Sequence, residues 1–327
     1  MNTKTSSGSG NALRGGVSSW GRRVGSWICL GIWAIPWQGG LSSARGSASP
    51  GGDRNPPLSA NARVPSDSDK DGSEFFQQAR FAESTKDFAE AFRLYRRGAS
   101  RGHAPCQNNL GFMLLRGLGV KRDPQEAVLY FRDAAKQSYP AAQNNLGICY
   151  RDGLGVKEDL SVAAKWFLQA AEQGFADAQN NLGVRFYRGS GMPRNTEEAM
   201  KWFTKAADQG LGSAWVNLGI CYAEGRGAPK DLGKAFEYFS QAAGKGDADG
   251  LLYLGFAHME GRGVPKDLVR AYVCFNTAMS FGDSYASQAR TKLKREMTEK
   301  QIAEAQRRSY EYSSKDHGSG KSRSADE

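Results

Sequence analysis

The hydrophobic and polar positions of the chain repeat with a fixed period over most of its length. A leucine-glycine pair recurs every 36 residues, and its five copies are Leu110-Gly111, Leu146-Gly147, Leu182-Gly183, Leu218-Gly219 and Leu254-Gly255. Two glycines separated by one residue follow each copy at a constant distance, and an alanine and a phenylalanine follow them in turn. Five copies without a change of register predict a solenoid, in which equal units stack on one another.

The second of these units shows how each one is expected to begin. Ala142, Leu146 and Tyr150 are spaced four residues apart, which places them along one face of a first helix. Gly153 follows as a helix stop, and Gly155 allows the loop to adopt backbone angles that other residues avoid. The pattern therefore predicts a helix that ends in a tight glycine loop.

A second helix is predicted after that loop. Asp159 is placed to cap its N-terminus, and Ala163, Trp166, Phe167 and Ala170 then form one apolar stripe. The regular spacing of the aromatic pair favours a core position over a ligand cage. Because one helical hairpin cannot bury its apolar stripe alone, neighbouring units must pack against each other.

These motifs identify a family resemblance. The patterns A-x-x-x-L-G-x-x-Y-x-x-G-x-G-V and A-x-x-W-F-x-x-A-A-x-x-G resemble the Sel-1-like repeat family, which is related to tetratricopeptide repeats, and the resemblance covers about residues 74–312. It implies an all-α fold, a right-handed superhelical solenoid of paired antiparallel helices. It also implies a protein–protein interaction scaffold or adaptor that binds a protein or peptide on the concave face of the array, since the family gathers other proteins.

The same resemblance sets the expected organisation of the folded part. The repeat array should span residues 72–283, with a shortened first unit followed by five units of 36 residues. Capping helices are expected at residues 284–312. Thr298 and Gln301 have the spacing of a capping box for the last of these helices.

Paired asparagines are the candidate binding residues. The stretch QNNLG occurs three times at the 36-residue period, and the asparagine before the leucine is kept in a fourth unit. If Ala142, Leu146 and Tyr150 mark the packed face, the asparagines fall outside it and could hold the backbone of an extended peptide. Alternatively, they brace an adjoining turn or the next helix. The candidates are Asn108, Asn109, Asn144, Asn145, Asn180, Asn181 and Asn217.

Residues 1–48 read as a targeting or signal segment. A basic pair precedes the apolar run 27–37, and small residues follow it, as in a secretory signal peptide. Eleven apolar residues are too few to span a bilayer, so no stable membrane span is expected. Export to a periplasmic, secreted or lumenal location is favoured, a mitochondrial presequence is second, and a cytoplasmic tail is third. Residues 49–71 are expected to be a disordered linker, and residues 313–327 a disordered tail.

The charge distribution argues against nucleic acid as a partner. The chain carries a net charge of +10, and half of the excess lies in residues 1–52, which contain no Asp or Glu. The remainder is spread thinly and forms no dense basic stripe with interleaved aromatic residues, as nucleic-acid binding proteins show. No nucleic-acid partner is therefore expected.

The chemistry-bearing residues predict no enzyme, metal site or cofactor. There are three histidines, and no H-E-x-x-H, G-x-S-x-G or G-x-x-x-x-G-K-[ST] motif occurs. The five cysteines lack the paired spacing of a cysteine-rich branch of the resembled family, some of whose members were linked to β-lactam hydrolysis. An exported β-lactamase-like hydrolase therefore stays an alternative of low rank. An organelle adaptor for stress or assembly is the third possibility.

Overall fold

A computed structural model describes residues 72–318, with side chains described as far as Glu311. This part of the chain folds into fourteen α-helices and contains no strand, which confirms the all-α prediction. The helices are α1 (Gly72–Ser84), α2 (Phe88–Ser100), α3 (Ala104–Arg116), α4 (Pro124–Lys136), α5 (Pro140–Asp152), α6 (Leu160–Glu172), α7 (Ala176–Arg188), α8 (Thr196–Asp208), α9 (Gly212–Glu224), α10 (Leu232–Gly244), α11 (Ala248–Glu260), α12 (Leu268–Ser280), α13 (Ser284–Lys294) and α14 (Glu299–Gly318).

The helices pack in consecutive pairs. Each of the pairs α1/α2, α3/α4, α5/α6, α7/α8, α9/α10 and α11/α12 is a hairpin with a short loop, and we call its members the first and second helix of a unit. The second helix of one unit packs on the first helix of the next. First helices also contact each other directly, as α1 does with α3 and α9 with α11. The first helices therefore lie next to one another along one side of the array.

Each unit begins and ends as its loop residues predict. Gly153 ends α5 in the left-handed conformation, with φ of 65°, and its N–H donates to the carbonyl of Cys149. Asp159 caps α6 by accepting hydrogen bonds from the backbone N–H groups of Ser161 and Val162, at 3.0 and 2.9 Å. Among the helices of residues 72–318, none combines the length and the hydropathy that a membrane-spanning helix requires.

The second glycine of each loop joins one unit to the preceding one. Gly155 has φ of 72°, and a Cβ atom at this position would lie 2.0 Å from the carbonyl oxygen of Pro124. Pro124 is the first residue of α4, so the loop of one unit sits directly on the start of the second helix before it. The close backbone approach explains why this position holds glycine in all five loops.

The leucine-glycine motif forms the core within each unit. Leu146 and Phe167 are fully buried, and a Cβ at Gly147 would lie 2.7 Å from the Phe167 ring. The missing side chain therefore makes room for the phenylalanine of the second helix. Trp166 is only half-buried and packs at the edge of the core. The other residues of the predicted apolar stripe are buried, and Trp166 lies at its margin.

The two ends of the described chain depart from the regular unit. The turn between α1 and α2 lacks the glycine pair, and Lys86 takes the left-handed conformation there with φ of 63°. At the other end, the Thr298 N–H donates to Gln301 and the Gln301 N–H donates to the Thr298 hydroxyl oxygen, which confirms the capping box. α14 runs to Gly318, so the helix continues beyond residue 312, where the sequence places the end of the cap. The predicted targeting segment and linker lie outside the described residues.

Candidate partner-binding face

Asparagines of successive first helices are hydrogen-bonded to one another. The side-chain N–H of Asn145 donates to the Asn108 carbonyl oxygen of the preceding unit at 2.9 Å. The same bond recurs one unit later, from Asn181 to Asn144 at 2.9 Å, and again from Asn217 to Asn180 at 2.8 Å. We call this row of bonds the asparagine ladder. These bonds brace neighbouring first helices. Such bracing is the alternative to partner binding that the sequence left open.

The expectation that both asparagines lie outside the packed face is wrong for the first asparagine of each pair. Asn108, Asn144 and Asn180 are buried, each with at most 7% of its surface exposed. The helical periodicity of one unit could not reveal this, because the surface that covers them belongs to the next unit. Asn109, Asn145 and Asn217 are partly exposed, and Asn181 is buried.

The ladder has a distinct residue at each end. Asn109 has no earlier asparagine to pair with, and its N–H donates instead to the Tyr95 hydroxyl oxygen at 2.9 Å. That hydroxyl donates in turn to Glu83 at 2.8 Å, and burial raises the pKa of the Glu83 carboxyl. At the other end, Val216 stands where the next acceptor would be, and Tyr253 stands where the next donor would be. The ladder therefore joins the first four of the 36-residue units only.

A parallel set of glutamine bonds was missed at the sequence level. The Gln143 side chain donates to the Ala135 carbonyl at the end of α4, at 3.4 Å. It also accepts a hydrogen bond from Gln173, which caps the end of α6, at 2.7 Å. Gln107 and Gln179 make the same contacts in their units. The signal was present, because both glutamines of each pair recur at the 36-residue period and are always 30 residues apart.

Removing two rungs of the ladder should lower stability. In the double variant Asn145→Ala and Asn181→Ala, the buried oxygens of Asn108 and Asn144 lose their donors. We expect a loss of about 2 kcal/mol in the free energy of unfolding, since a net hydrogen bond is worth about 1 kcal/mol. Urea unfolding followed by circular dichroism measures it. Gln169→Ala with Gln241→Ala, two exposed helical glutamines, is the matched control and should change little; equal behaviour of the two double variants would contradict a bracing role.

The side of each first helix that points away from the second helices forms one continuous surface. In α5 this side carries Ala141, Asn145, Ile148 and Asp152, whereas Gly147 on the other side contacts the second helix. Equivalent positions continue it through every unit, and we call this surface the inner face. The Asn145 N–H is used by the ladder, but its side-chain oxygen accepts no hydrogen bond from the described chain. Polar atoms able to bind a peptide backbone thus remain on this face.

Some carboxylates of the inner face form ion pairs with arginines that lie beside this face. Glu224 accepts hydrogen bonds from the Tyr187 hydroxyl of the preceding unit and forms an ion pair with Arg226 at 3.0 Å. Asp152 is held by Arg151 through two bonds of 2.6 Å. Asp249 differs, because burial and the nearby carboxylates of Asp247 and Asp283 raise its pKa to about 7.

The raised pKa of Asp249 predicts a pH-dependent stability. The folded state binds the proton more tightly than the unfolded state, whose pKa is near 3.8, so stability falls as pH rises from about 4 to about 7. Asp249→Asn stays neutral and removes this loss. We expect the free energy of unfolding of the variant to exceed that of the wild type by on the order of 1–2 kcal/mol at pH 8, and by less at pH 5. One pKa unit corresponds to about 1.4 kcal/mol, and relaxation of the protein around the charged carboxylate reduces the full effect. Thermal unfolding at both pH values tests this, and a gain that is the same at pH 5 and pH 8 would refute it.

The nucleophilic and metal-binding residue types are dispersed in the described chain. Cys106, Cys149 and Cys221 are free and fully buried, and burial raises the pKa of each thiol to about 12. These thiols stay protonated, and a thiol is a weak nucleophile compared with its thiolate. Among the side chains that the structure describes, residues 72–311, no three His, Cys, Asp or Glu come close enough to hold a metal ion.

Stacked helical hairpins with a shared inner face define the class of the protein, an α-helical repeat protein. The chain belongs to the Sel1 repeat family: the Sel1 repeat model matches residues 82–103, 104–139, 140–175, 176–211, 214–247 and 248–278. Proteins of this family generally act as protein-interaction scaffolds and are typically non-catalytic. No curated protein matches the chain.

Two solved structures show the same architecture. The chain is similar to a Sel1 repeat protein from Oxalobacter formigenes, with 29% identity and a TM-score of 0.59, over 67% of this chain and 84% of that one. It is also similar to c5321, described as a protective antigen of uropathogenic Escherichia coli strains, with 32% identity and a TM-score of 0.58. That match covers 74% of this chain and 52% of c5321, so the chain spans about half of that protein.

Proposed function

We propose that the protein is a non-catalytic scaffold or adaptor that binds a protein partner, in extended form, along the inner face of its repeat array. The observation that carries the proposal is the continuity of this face: equivalent residues of successive first helices stand side by side. The asparagine ladder keeps successive first helices in register, and its donors are the side-chain N–H groups of Asn145, Asn181 and Asn217. The side-chain oxygens of Asn145 and Asn217 accept nothing from the described chain and suit the N–H groups of a peptide.

The seven asparagines contribute unequally to this proposal. Asn109, Asn145 and Asn217 are partly exposed and are the residues proposed to touch a partner. Asn108, Asn144 and Asn180 are buried, so their proposed part is to position those neighbours. We further propose export as the destination of the protein, on the basis of the basic pair, the short apolar run and the small residues that follow.

Two exposed apolar residues allow a matched test. Phe81, on the inner face, is 72% exposed, and Leu129, on a second helix, is 55% exposed. The tagged full-length wild type and its Phe81→Arg and Leu129→Arg variants are each used to capture proteins from a native extract. The captured proteins are quantified by mass spectrometry. We expect a specific partner to bind the wild type and Leu129→Arg equally and to lose at least tenfold with Phe81→Arg, as truncated interface anchors typically do.

Two results would overturn the proposed function. A partner that is lost only with Leu129→Arg would move the binding surface to the second helices. Saturable hydrolysis of a β-lactam reporter, abolished by one point substitution, would support the hydrolase alternative instead.

A further inference from the structure

Three arginines lie in the last turns of two neighbouring first helices. Arg151 lies in the last turn of α5, and Arg185 and Arg188 lie in the last turn of α7. Arg188 is on the inner face, at the position that Asp152 holds in α5. The helix dipole favours positive side chains at a helix C-terminus. It does not require three of them in two adjacent helices, since α9 has no basic residue in its last turn.

The asparagine ladder shows that successive first helices pack with the same shift. Asn181 donates to Asn144 at 2.9 Å, and Asn217 donates to Asn180 at 2.8 Å. In both bonds the two residues are 37 positions apart. α7 therefore meets α9 in the same geometry as α5 meets α7. The contacts between the later two helices consequently indicate which residues meet between the earlier two.

The later two helices form a charge-balanced contact at their C-terminal ends. The Tyr187 hydroxyl in α7 donates to Glu224 at the end of α9 and accepts a hydrogen bond from Arg226 at 3.3 Å. Arg226 also forms an ion pair with Glu224, at 3.0 Å. Burial, the hydrogen bond and charge of Glu224, and then the nearby Cys221 raise the pKa of Tyr187, so all four side chains lie close together.

The equivalent residues of the earlier two helices have the opposite charge. Exactly one period of 36 residues before that contact, the chain has Arg151, Arg185, Arg188 and Ser190. All four side chains can donate hydrogen bonds. Arg188 takes the place of Glu224, so a guanidinium group stands where the later contact has its carboxylate.

The base of this cluster is buried. The Arg151 side chain is 9% exposed and Arg185 is 4% exposed, whereas Arg188 and Ser190 are half-buried. Asp152 accepts two bonds of 2.6 Å from Nε and Nη2 of Arg151. The third nitrogen, Nη1, and the Ser190 hydroxyl oxygen are buried and form no hydrogen bond within the described chain. Three guanidinium groups and one carboxylate give these side chains a net charge of +2, and buried charge is costly unless it is paired.

We propose that Arg151, Arg185, Arg188 and Ser190 form an oxyanion-binding site at one edge of the inner face, which takes a carboxylate or phosphate group of a bound peptide. Guanidinium groups bind both oxyanions through paired N–H donors, and such bonds are strongest where water is excluded. The half-buried Arg188 and Ser190 give a ligand on this face access to the site. The assignment of the oxyanion to a protein partner rests on the proposed function.

Three short peptides that differ in one residue test the site in the full-length protein. The acetylated and amidated pentapeptide Ala-Ala-X-Ala-Ala carries phosphoserine, glutamate or glutamine at X. Binding is followed through the arginine Nε–H signals in heteronuclear NMR spectra at constant ionic strength. We expect at least one anionic peptide to bind about tenfold more tightly than the glutamine peptide, since charge-assisted hydrogen bonds are the stronger ones. The tighter of the two identifies the group as phosphate or carboxylate.

Arg188→Glu separates a binding role from a structural one. A carboxylate at this position has a precedent in Glu224 and would pair with Arg151, so the midpoint of thermal unfolding should stay equal or rise. Binding of the anionic peptides should fall at least about tenfold. Arg96→Glu makes the same charge change at an exposed position of α2 and should change binding by less than about twofold. Ser190→Ala, which removes one hydroxyl, should weaken binding several-fold.

Three results would overturn this proposal. The first is equal binding of the anionic and glutamine peptides to the wild type. The second is binding of an anionic peptide that survives Arg188→Glu. The third is a clear fall in the unfolding midpoint of Arg188→Glu, which would assign this arginine to the stability of the fold.

Failure of this inference can be told apart from failure of the proposed function. If a partner is captured by the wild type, lost with Phe81→Arg and kept with Arg188→Glu, the inner face binds that partner without an oxyanion at this site. The scaffold proposal then stands and the oxyanion proposal does not. If the anionic peptides bind as expected but no captured protein depends on Phe81, the site stands and the proposed binding face does not.

Discussion

Phe167→Ala is expected to lower the free energy of unfolding by about 3–5 kcal/mol. The ring is fully buried and fills the space that Gly147 leaves open on the first helix of the same unit, so its removal creates a cavity that the glycine cannot fill. Replacing a buried phenylalanine by alanine typically costs this amount, through lost transfer free energy and the remaining void. Urea unfolding followed by circular dichroism or tryptophan fluorescence measures the loss.

The control for this substitution is Leu129→Ala. Leu129 is 55% exposed on a second helix, so its truncation should change the free energy of unfolding by less than about 0.5 kcal/mol. A loss below about 1 kcal/mol for Phe167→Ala would contradict the core position of this ring, which its burial indicates.

Gly155→Ala should be the second most damaging of these substitutions, at about 3 kcal/mol. An alanine with φ of 72° costs roughly 1–2 kcal/mol in backbone strain. Its Cβ would also lie 2.0 Å from the Pro124 carbonyl oxygen, so the loop or the start of α4 must move, and overpacking of this kind adds about 1–3 kcal/mol. The midpoint of thermal unfolding gives the comparison.

Gly153 provides a matched control in the same loop. It also has a positive φ, of 65°, but a Cβ atom added there would have its nearest neighbour 3.7 Å away, at an ordinary contact distance. Gly153→Ala should therefore carry the backbone strain alone and lose less stability than Gly155→Ala. Equal losses would mean that the contact between loop and preceding unit contributes nothing.

Sequence alone predicted most of what happens within one unit. Leu146, Gly153, Gly155, Asp159 and Phe167 each have a local signature, since a helix stop, an N-cap or an apolar stripe depends on residues a few positions away. The first and second helices therefore begin and end close to the expected residues. The same signatures recur in each unit, which made the all-α solenoid predictable.

The contacts between units could not be predicted in the same way. Pairing of Asn145 with Asn108 depends on how far one first helix is shifted and rotated against the next. The 36-residue period alone does not determine this shift or rotation. The glutamine bonds needed the same information, although the constant separation of Gln143 and Gln173 was visible. For the candidate site, the sequence pointed to seven asparagines, and four of them, Asn108, Asn144, Asn180 and Asn181, are buried instead of lying outside the packed face.

The direction of the asparagine ladder bears on how the gene can lengthen. Every unit from residue 104 to residue 211 offers an acceptor to the unit after it and carries a donor for the unit before it, so a duplicated copy of any of these segments would find both of its neighbours complete. A copied 212–247 segment would instead place its asparagine against Val216, with no acceptor. Changes in repeat number among relatives are therefore expected inside 104–211, with the two ends retained.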